Sequence, residues 1–128
     1  MNLRTAIAAP LDYARIEEGI TARQVEELIG KGELSREDVF RAIPGRTFKR
    51  RLADKAKLRI EEADAIARIL RINAQALWAF GEAPAAHAFL DQPNPALGNR
   101  VPRVMARTDA GAREVEALLH RFVNGDYS

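Results

Sequence analysis

Cysteine is absent from the 128 residues, so the chain has no disulfide, no thiolate metal site and no cysteine nucleophile. Only two serines and two histidines are present, and His87 and His120 stand in different predicted helices. Neither a glycine-rich phosphate loop, nor an HExxH zinc sequence, nor the GxSxG turn of serine hydrolases occurs. The sequence therefore predicts a protein that is not an enzyme, with no catalytic residues, no metal site and no cofactor.

Long apolar runs are also absent. No stretch reaches the roughly 18 apolar residues that a membrane-spanning helix needs. The first ten residues, MNLRTAIAAP, contain too short an apolar part for a secretory signal. Together with the lack of cysteine, these features predict a cytoplasmic protein with no membrane partner.

Alternation of apolar and polar residues, the pattern of a strand, is missing from the chain, whereas apolar residues at helical spacing are frequent. Thr21 and Gln24 match the capping box that begins a helix, and Ser35 can cap a second one. The longest helix is predicted over residues 60–80, and the last over residues 108–124. We therefore predict an all-α protein, with an N-terminal helix-turn-helix followed by a small C-terminal helical domain.

Positive charge is concentrated in one segment, although the net charge is only +2. Residues 31–60 contain ten lysines and arginines against four acids. The rest of the chain is net negative, so this basic segment is where a nucleic acid would bind. The same charges are also compatible with a solvated basic surface that has no ligand.

Two capped helices lead into a third, strongly basic one through the sharp Pro44-Gly45 break, an arrangement typical of a helix-turn-helix. We interpret Ser35–Ile43 as the supporting helix and Arg46–Asp54 as the recognition helix. In the alternative register, Thr21–Ile29 supports and Ser35–Ile43 reads the DNA. We prefer the first register, because Ser35–Ile43 carries two adjacent acids that phosphate would repel.

The basic helix is predicted to bury Phe48 and Leu52, which lie one turn apart. Helical geometry then places Arg46 and Arg50 on the opposite side, where they are best positioned for a groove of DNA. Arginine can bind guanine through two hydrogen bonds, and lysine suits phosphate. Arg51 lies nearer the buried side, so it either braces the fold or touches the DNA backbone. The candidate DNA-binding residues are Arg46, Thr47, Lys49, Arg50 and Arg51.

A second dense group of signals lies between Phe89 and Gly111 and combines turn, helix-start and close-packing residues. Prolines stop one helix and start another, a Gly-Asn pair marks a turn, and Thr108 can cap a helix whose first turn contains Gly111. Glycine inside a helix costs about 1 kcal/mol relative to alanine, so its presence indicates a close approach by another group. In order, the signals are Phe89-Leu90, Pro93-Asn94-Pro95-Ala96-Leu97-Gly98, Pro102, Thr108 and Gly111.

This series resembles the C-terminal toxin-binding domain of the Xre/MbcA/ParS antitoxin family. The resemblance covers about the last half of the chain, with a weaker match upstream to about Leu34. Three positions depart from the family pattern. Phe89 stands where tryptophan is usual, Asn99 where a second glycine is common, and Val101 where a threonine usually caps the helix that Pro102 begins. The last departure removes a cap worth about 1 kcal/mol.

The resemblance implies a bacterial antitoxin of a type II toxin–antitoxin pair, with residues 1–57 binding DNA and residues 58–128 binding toxin and dimerising. The implied partners are a cognate RES-domain toxin, which depletes NAD, and operator DNA, through which the antitoxin represses its own operon. A homodimer within a larger toxin–antitoxin complex is also implied. The implied toxin-binding residues are Arg107, Asp109 and the C-terminal tail, Gly125, Asp126, Tyr127 and Ser128.

Two alternatives to this function remain open at the level of sequence. One is a stand-alone helix-turn-helix transcriptional regulator without a toxin partner. The other is an interaction module that binds toxin but whose helix-turn-helix no longer binds DNA. A protein partner of some kind is favoured by apolar residues beyond those that a short helical C-terminus needs to bury. These residues are Val104, Met105, Phe122, Val123 and Tyr127.

Overall fold

Helices make up the regular structure of residues 11–125, the part of the chain that the computed structural model describes. Within these residues there is no strand, only two isolated bridges, and the prediction of an all-α protein is confirmed. The helices are α1 Tyr13–Glu18, α2 Ala22–Gly30, α3 Arg36–Ala42, α4 Gly45–Ala53, α5 Ile60–Phe80, α6 Ala83–Asp91, a 3-10 helix Pro95–Leu97, α7 Pro102–Met105 and α8 Asp109–Asn124.

Helix starts follow the capping signals of the sequence. The Thr21 side chain accepts a hydrogen bond from the backbone N–H of Gln24 at 3.1 Å, and the Gln24 side chain accepts one from the Thr21 N–H at 2.9 Å. Ser35 accepts a hydrogen bond from the N–H of Asp38 at 3.0 Å. Helix α4 begins directly after Pro44, without a side-chain cap. Hydrogen bonds between near neighbours therefore fix where α2 and α3 begin.

Residues 11–70 form one compact unit, the N-terminal unit, with its own hydrophobic core. Helix α2 contacts α4, and Val39 and Phe48 are among the fully buried side chains. The segment after α4 returns to the start of α2, where the N–H of Leu58 donates to the carbonyl of Ile20 at 2.7 Å. These contacts fix the position of the basic helix α4 within this unit.

Residues 71–125 form the other compact unit, the C-terminal unit, which also has a hydrophobic core of its own. On α8, Val115 and Leu119 are fully buried. Three aromatic rings pack against this core, with their centroids 5.2 to 6.1 Å apart: Phe80, Phe89 and Phe122. The end of α5, α6 and the end of α8 are therefore held together by aromatic contacts within this unit.

Gly111 lies where the first turn of α8 meets the end of α7. A Cβ atom at this position would lie 2.0 Å from the backbone oxygen of Met105, far inside any tolerated contact. Thr108 caps α8 by accepting a hydrogen bond from the Gly111 N–H at 3.0 Å. Val101, by contrast, supplies no side-chain cap to α7. The close approach that the sequence indicated at Gly111 is confirmed.

The two compact units divide between Leu70 and Arg71, inside α5. This division follows from the packing of the helices. The functional limits expected from the sequence, residues 1–57 and 58–128, concern DNA binding and toxin binding. Packing does not test those activities, so the functional limits stay a prediction.

Candidate nucleic-acid and partner interfaces

Helix α4 is oriented by Phe48, which is 1% exposed and whose ring centroid lies 6.1 Å from that of Phe40 in α3. Leu52, one turn later, is half-buried and packs against the same core. The inward side of the basic helix is therefore the one that the sequence predicted. The remaining sides of α4 carry its polar and charged residues.

Three cations on α4 are exposed and form no ion pair with any acid of residues 11–125. They are Arg46, Lys49 and Arg50, and Thr47 stands half-buried among them. A cation that no protein acid neutralises retains its full attraction for phosphate. This group, which we call the α4 basic surface, is the candidate nucleic-acid interface of the N-terminal unit.

Helix α3 also carries two arginines, but both are paired. Arg36 donates to the two carboxylate oxygens of Glu26 at 3.1 and 2.6 Å, and Arg41 lies 3.0 Å from a carboxylate oxygen of Asp38. The Arg36 guanidinium holds the pKa of Glu26 below its ordinary value. Since the positive charge of α3 is neutralised internally, the charges favour the register in which α4 reads the DNA.

Arg51 differs from the other α4 cations because it forms an ion pair with Glu62, near the start of α5, at 3.1 Å. The two side chains are only 18% and 14% exposed. The other Glu62 oxygen accepts a hydrogen bond from the backbone N–H of Arg59 at 2.8 Å. Of the two roles that the sequence left open for Arg51, these contacts support bracing of the fold, since they connect α4 with the start of α5.

The predicted toxin-binding residues lie at the two ends of α8. Arg107 and Asp109 are exposed near its start, and Asp109 pairs with Arg113 at 2.9 Å. Gly125 ends the helix in the left-handed conformation, with φ 69°, and its N–H donates to carbonyls of the last turn. The other three tail residues, Asp126, Tyr127 and Ser128, lie outside the described residues.

The apolar residues expected to face a partner fall into two groups. Val104 and Val123 are 48% and 36% exposed, as a contact surface requires. Met105 and Phe122 instead pack against the core of the C-terminal unit, so they are mostly structural. Tyr127 lies outside the described residues. The sequence could not separate these groups, because in each helix the exposed residue and the packed residue are neighbouring apolar positions.

A groove of about 770 Å³ runs between α5 and α8 within the C-terminal unit, and we call it the α5–α8 groove. Its lining includes Gln75, Trp78, Leu119, His120, Arg121 and Val123. Sequence reasoning missed this groove, because the groove depends on how α5 and α8 pack together. The sequence signal that could have indicated the groove is Trp78, a large aromatic residue, with the polar Gln75 about one helical turn earlier.

Residues 11–125 were also compared with the requirements of a metal site and of a membrane-spanning helix. No group of three or more histidine, cysteine or acidic side chains lies close enough in this range to hold a metal ion. None of its helices is both long and apolar enough to cross a membrane.

Comparison with known proteins identifies the C-terminal unit. Residues 73–125 match the family model described as the antitoxin Xre/MbcA/ParS C-terminal toxin-binding domain. An antitoxin Xre of Pseudomonas putida is 31% identical over 113 residues, which cover 88% of this chain and 71% of that protein. The chain belongs to the Xre/MbcA/ParS antitoxin family. The resemblance seen between Phe89 and Gly111 is therefore confirmed.

Two further relatives of the family extend over the same share of this chain. An antitoxin Xre of Yersinia enterocolitica is 28% identical over 116 residues, and one of Photorhabdus laumondii is 29% identical over 115 residues. Each match covers 88% of this chain and 78% of the relative. The family likeness thus includes most of the N-terminal unit as well as the segment that the Xre/MbcA/ParS domain model matches.

Proposed function

We propose that this protein is the antitoxin of a type II toxin–antitoxin pair, which binds and neutralises a RES-type, NAD-depleting toxin and represses its own operon. Membership of the Xre/MbcA/ParS family carries the proposal, because residues 73–125 match a domain described as toxin-binding and relatives named antitoxin Xre align over 88% of the chain. In this role the protein acts by binding, as a homodimer within a larger complex, and catalyses no reaction.

The DNA-binding half of the proposal is supported by the α4 basic surface. In this function α3 and α4 form the helix-turn-helix, and α4 enters a groove of operator DNA. Arg46 and Arg50 enter the groove, while Lys49 and Thr47 flank them and reach phosphates or base edges. Arg51 holds α4 against the start of α5 through its ion pair with Glu62, and this contact helps to position the α4 basic surface.

The toxin-binding half is assigned to the C-terminal unit. Arg107 and Asp109 near the start of α8, and the tail from Gly125 onward, are the residues that the family likeness implies. Gly125 ends α8 in the left-handed conformation, which glycine adopts without strain. Tyr127 then supplies a large amphipathic side chain that can reach toward the toxin pocket.

A co-expression growth assay with the product of the neighbouring gene tests the toxin half. The neighbour is induced alone and then together with a tagged copy of this chain, and the complex is isolated through the tag. Growth arrest in the first case, rescue in the second and a stable complex are expected. Arrest without rescue or complex would contradict the antitoxin function.

The stand-alone regulator is the second candidate, and the α4 basic surface supports it equally well. It predicts salt-sensitive binding to DNA from its own promoter region, with no stable protein partner other than a second copy of the chain. An interaction module without DNA binding predicts the reverse, a toxin complex and no salt-sensitive DNA binding. Measuring both activities with one preparation distinguishes these two alternatives from the antitoxin.

A further inference from the structure

We propose that the α5–α8 groove is the docking site for an apolar side chain of the toxin that is flanked by carboxylates. The proposal rests on the proposed antitoxin function and says where on the C-terminal unit the toxin binds, and by which chemistry. It adds a contact surface to the residues that the family likeness implies, since none of the groove residues Trp78, His120, Arg121 and Val123 is among them.

The floor of the groove is apolar and large enough for a side chain from another protein. Trp78 and Val123 line it, together with Leu119, whose own side chain is anchored in the core. A volume of about 770 Å³ falls within the range of sites that enclose aromatic or aliphatic groups. Val123 is 36% exposed, so part of its apolar surface is available for contact with a partner.

The rim of the groove carries a positive charge. Arg121 is exposed and forms no ion pair within residues 11–125, and the exposed imidazole of His120 lies next to it in the chain. The acid that lines the groove, Glu116, is already neutralised, because Arg71 donates to its two oxygens at 2.9 and 3.0 Å and Gln75 donates at 2.9 Å. An apolar floor with an uncompensated basic rim is complementary to an apolar side chain beside carboxylates.

The position of the groove in the chain agrees with this occupant. All of its lining residues fall within residues 73–125, the segment that matches the toxin-binding domain of the family. Val123 and Asn124, in the last turn of α8, line the groove directly before Gly125. A toxin that contacts Gly125 therefore also lies next to the groove.

Trp78 makes the groove observable, because it is the single tryptophan of the chain. We would incorporate fluorine-labelled tryptophan into the full-length protein and record fluorine NMR spectra with and without the unlabelled toxin of the pair. A single resonance is expected in the free protein, and it should shift when the toxin buries the groove. Binding affinity would be measured in parallel by calorimetry.

Two substitutions test the apolar floor and the basic rim separately. Val123→Glu should weaken toxin binding at least about 30-fold, because it places a charge in the apolar floor. Arg121→Glu should weaken it about tenfold and reduce its salt dependence. The matched controls are Ile60→Glu, an exposed apolar residue of the N-terminal unit, and Arg100→Glu, an exposed arginine outside the groove. Both controls should bind within about threefold of wild type.

Each other outcome has a defined meaning. If the wild-type chain forms no toxin complex, the antitoxin function itself fails, and the docking site with it. If wild type and both groove variants bind equally well and the Trp78 resonance does not move, the docking site is overturned while the antitoxin function stands. A Trp78 resonance that shifts with the concentration of the free protein would assign the groove to a second copy of the chain. Ile7 belongs to the first ten residues of the chain. If Ile7→Glu shifts the Trp78 resonance of the free, full-length protein, the groove would be assigned to this N-terminal segment. Either of these two results overturns the proposal.

Discussion

The N-terminal and C-terminal units are built from similar helices but leave different chemistry uncovered. On α4 of the N-terminal unit, Arg46 and Arg50 are exposed with no acid beside them. In the C-terminal unit, Arg71 and Arg113 are paired with acids, and the exposed Arg121 borders the largely apolar α5–α8 groove instead of belonging to a cluster of cations. The difference teaches that an exposed arginine or lysine indicates a ligand only if no acid of the same chain forms an ion pair with it.

The units also differ in what their glycines do, and this difference gives the largest expected effect. Gly111→Ala should destabilise the C-terminal unit by about 3 kcal/mol or more, because the new Cβ atom would lie 2.0 Å from the Met105 backbone oxygen. Backbone rather than a flexible side chain is the obstacle, so α7 and α8 must move apart. Thermal unfolding followed by circular dichroism would show the lowered midpoint.

Gly30→Ala is the matched control in the N-terminal unit. This glycine is helical, and a Cβ atom there would meet no heavy atom within 4 Å. The same chemical change should therefore raise stability by about 0.5 to 1 kcal/mol, since alanine loses less backbone entropy on folding. Equal effects of the two substitutions would contradict the close approach at Gly111.

Charge reversal on α4 gives the next largest effect. Replacing Arg46 and Arg50 together by glutamate should weaken operator binding at least about 100-fold and lower the salt dependence by roughly two phosphate contacts. Toxin binding should be unchanged. Fluorescence anisotropy titrations at several salt concentrations would measure the affinity and its slope.

A double variant with the same change of net charge controls for long-range electrostatics. Arg100→Glu with Arg121→Glu reverses two exposed arginines of the C-terminal unit, and it should leave the salt slope of operator binding within about half a charge of wild type. If the two double variants lose DNA affinity equally, the α4 basic surface has no special role. The contrast between the two units would then be a matter of net charge alone.

The sequence predicted best those features that depend on near neighbours in the chain. Thr21 and Ser35 cap helices through hydrogen bonds to residues three positions later, and such spacings can be recognised without a fold. The inward side of α4 also follows from its period alone, because Phe48 and Leu52 repeat after four residues. For the same reason the close approach at Gly111 could be expected, although its partner, the Met105 carbonyl, could not be named.

Features that depend on distant residues were beyond sequence reasoning. The Arg51–Glu62 pair spans eleven positions and two helices, so the role of Arg51 stayed open until α4 and α5 were placed together. Arg71 and Glu116 lie 45 positions apart, and the groove beside them exists only because α5 and α8 pack. Side-chain exposure separated Val123 from Phe122, which the helical period could not do.

A smaller effect should distinguish the two neighbouring arginines Arg50 and Arg51. Arg51→Met should lower stability by about 2 kcal/mol, because it leaves the half-buried Glu62 without its partner, and it should reduce operator affinity without changing the salt slope. Arg50→Met should do the opposite, with stability unchanged and the slope lower by about one contact. A lowered slope for Arg51→Met would show that Arg51 touches phosphate directly.

The smallest expected effect is a dependence on pH that arises in the N-terminal unit. Hydrogen bonds from Arg36 lower the pKa of Glu26 from its ordinary value of 4.5. A carboxyl group whose pKa is lower in the folded than in the unfolded state stabilises the fold above the unfolded pKa. This stabilisation is lost as the pH falls through the folded pKa. Wild type should therefore lose stability below about pH 4.5 more steeply than Glu26→Gln, which has no proton to bind there.

Urea unfolding between neutral pH and about pH 3 would compare these profiles, and Glu27→Gln is the matched control. The Glu27 carboxylate is 60% exposed and lies 3.8 Å from Arg23, outside hydrogen-bond distance, so Glu27→Gln changes the net charge equally but removes only a long, exposed ion pair. The Glu27→Gln profile should run parallel to wild type. If Glu26→Gln runs parallel as well, the Arg36–Glu26 pair does not persist in solution. Arg36 would then be as available to phosphate as the α4 cations, and the preference for α4 over α3 as the reading helix would rest on the acids of α3 and on the Arg41–Asp38 pair alone.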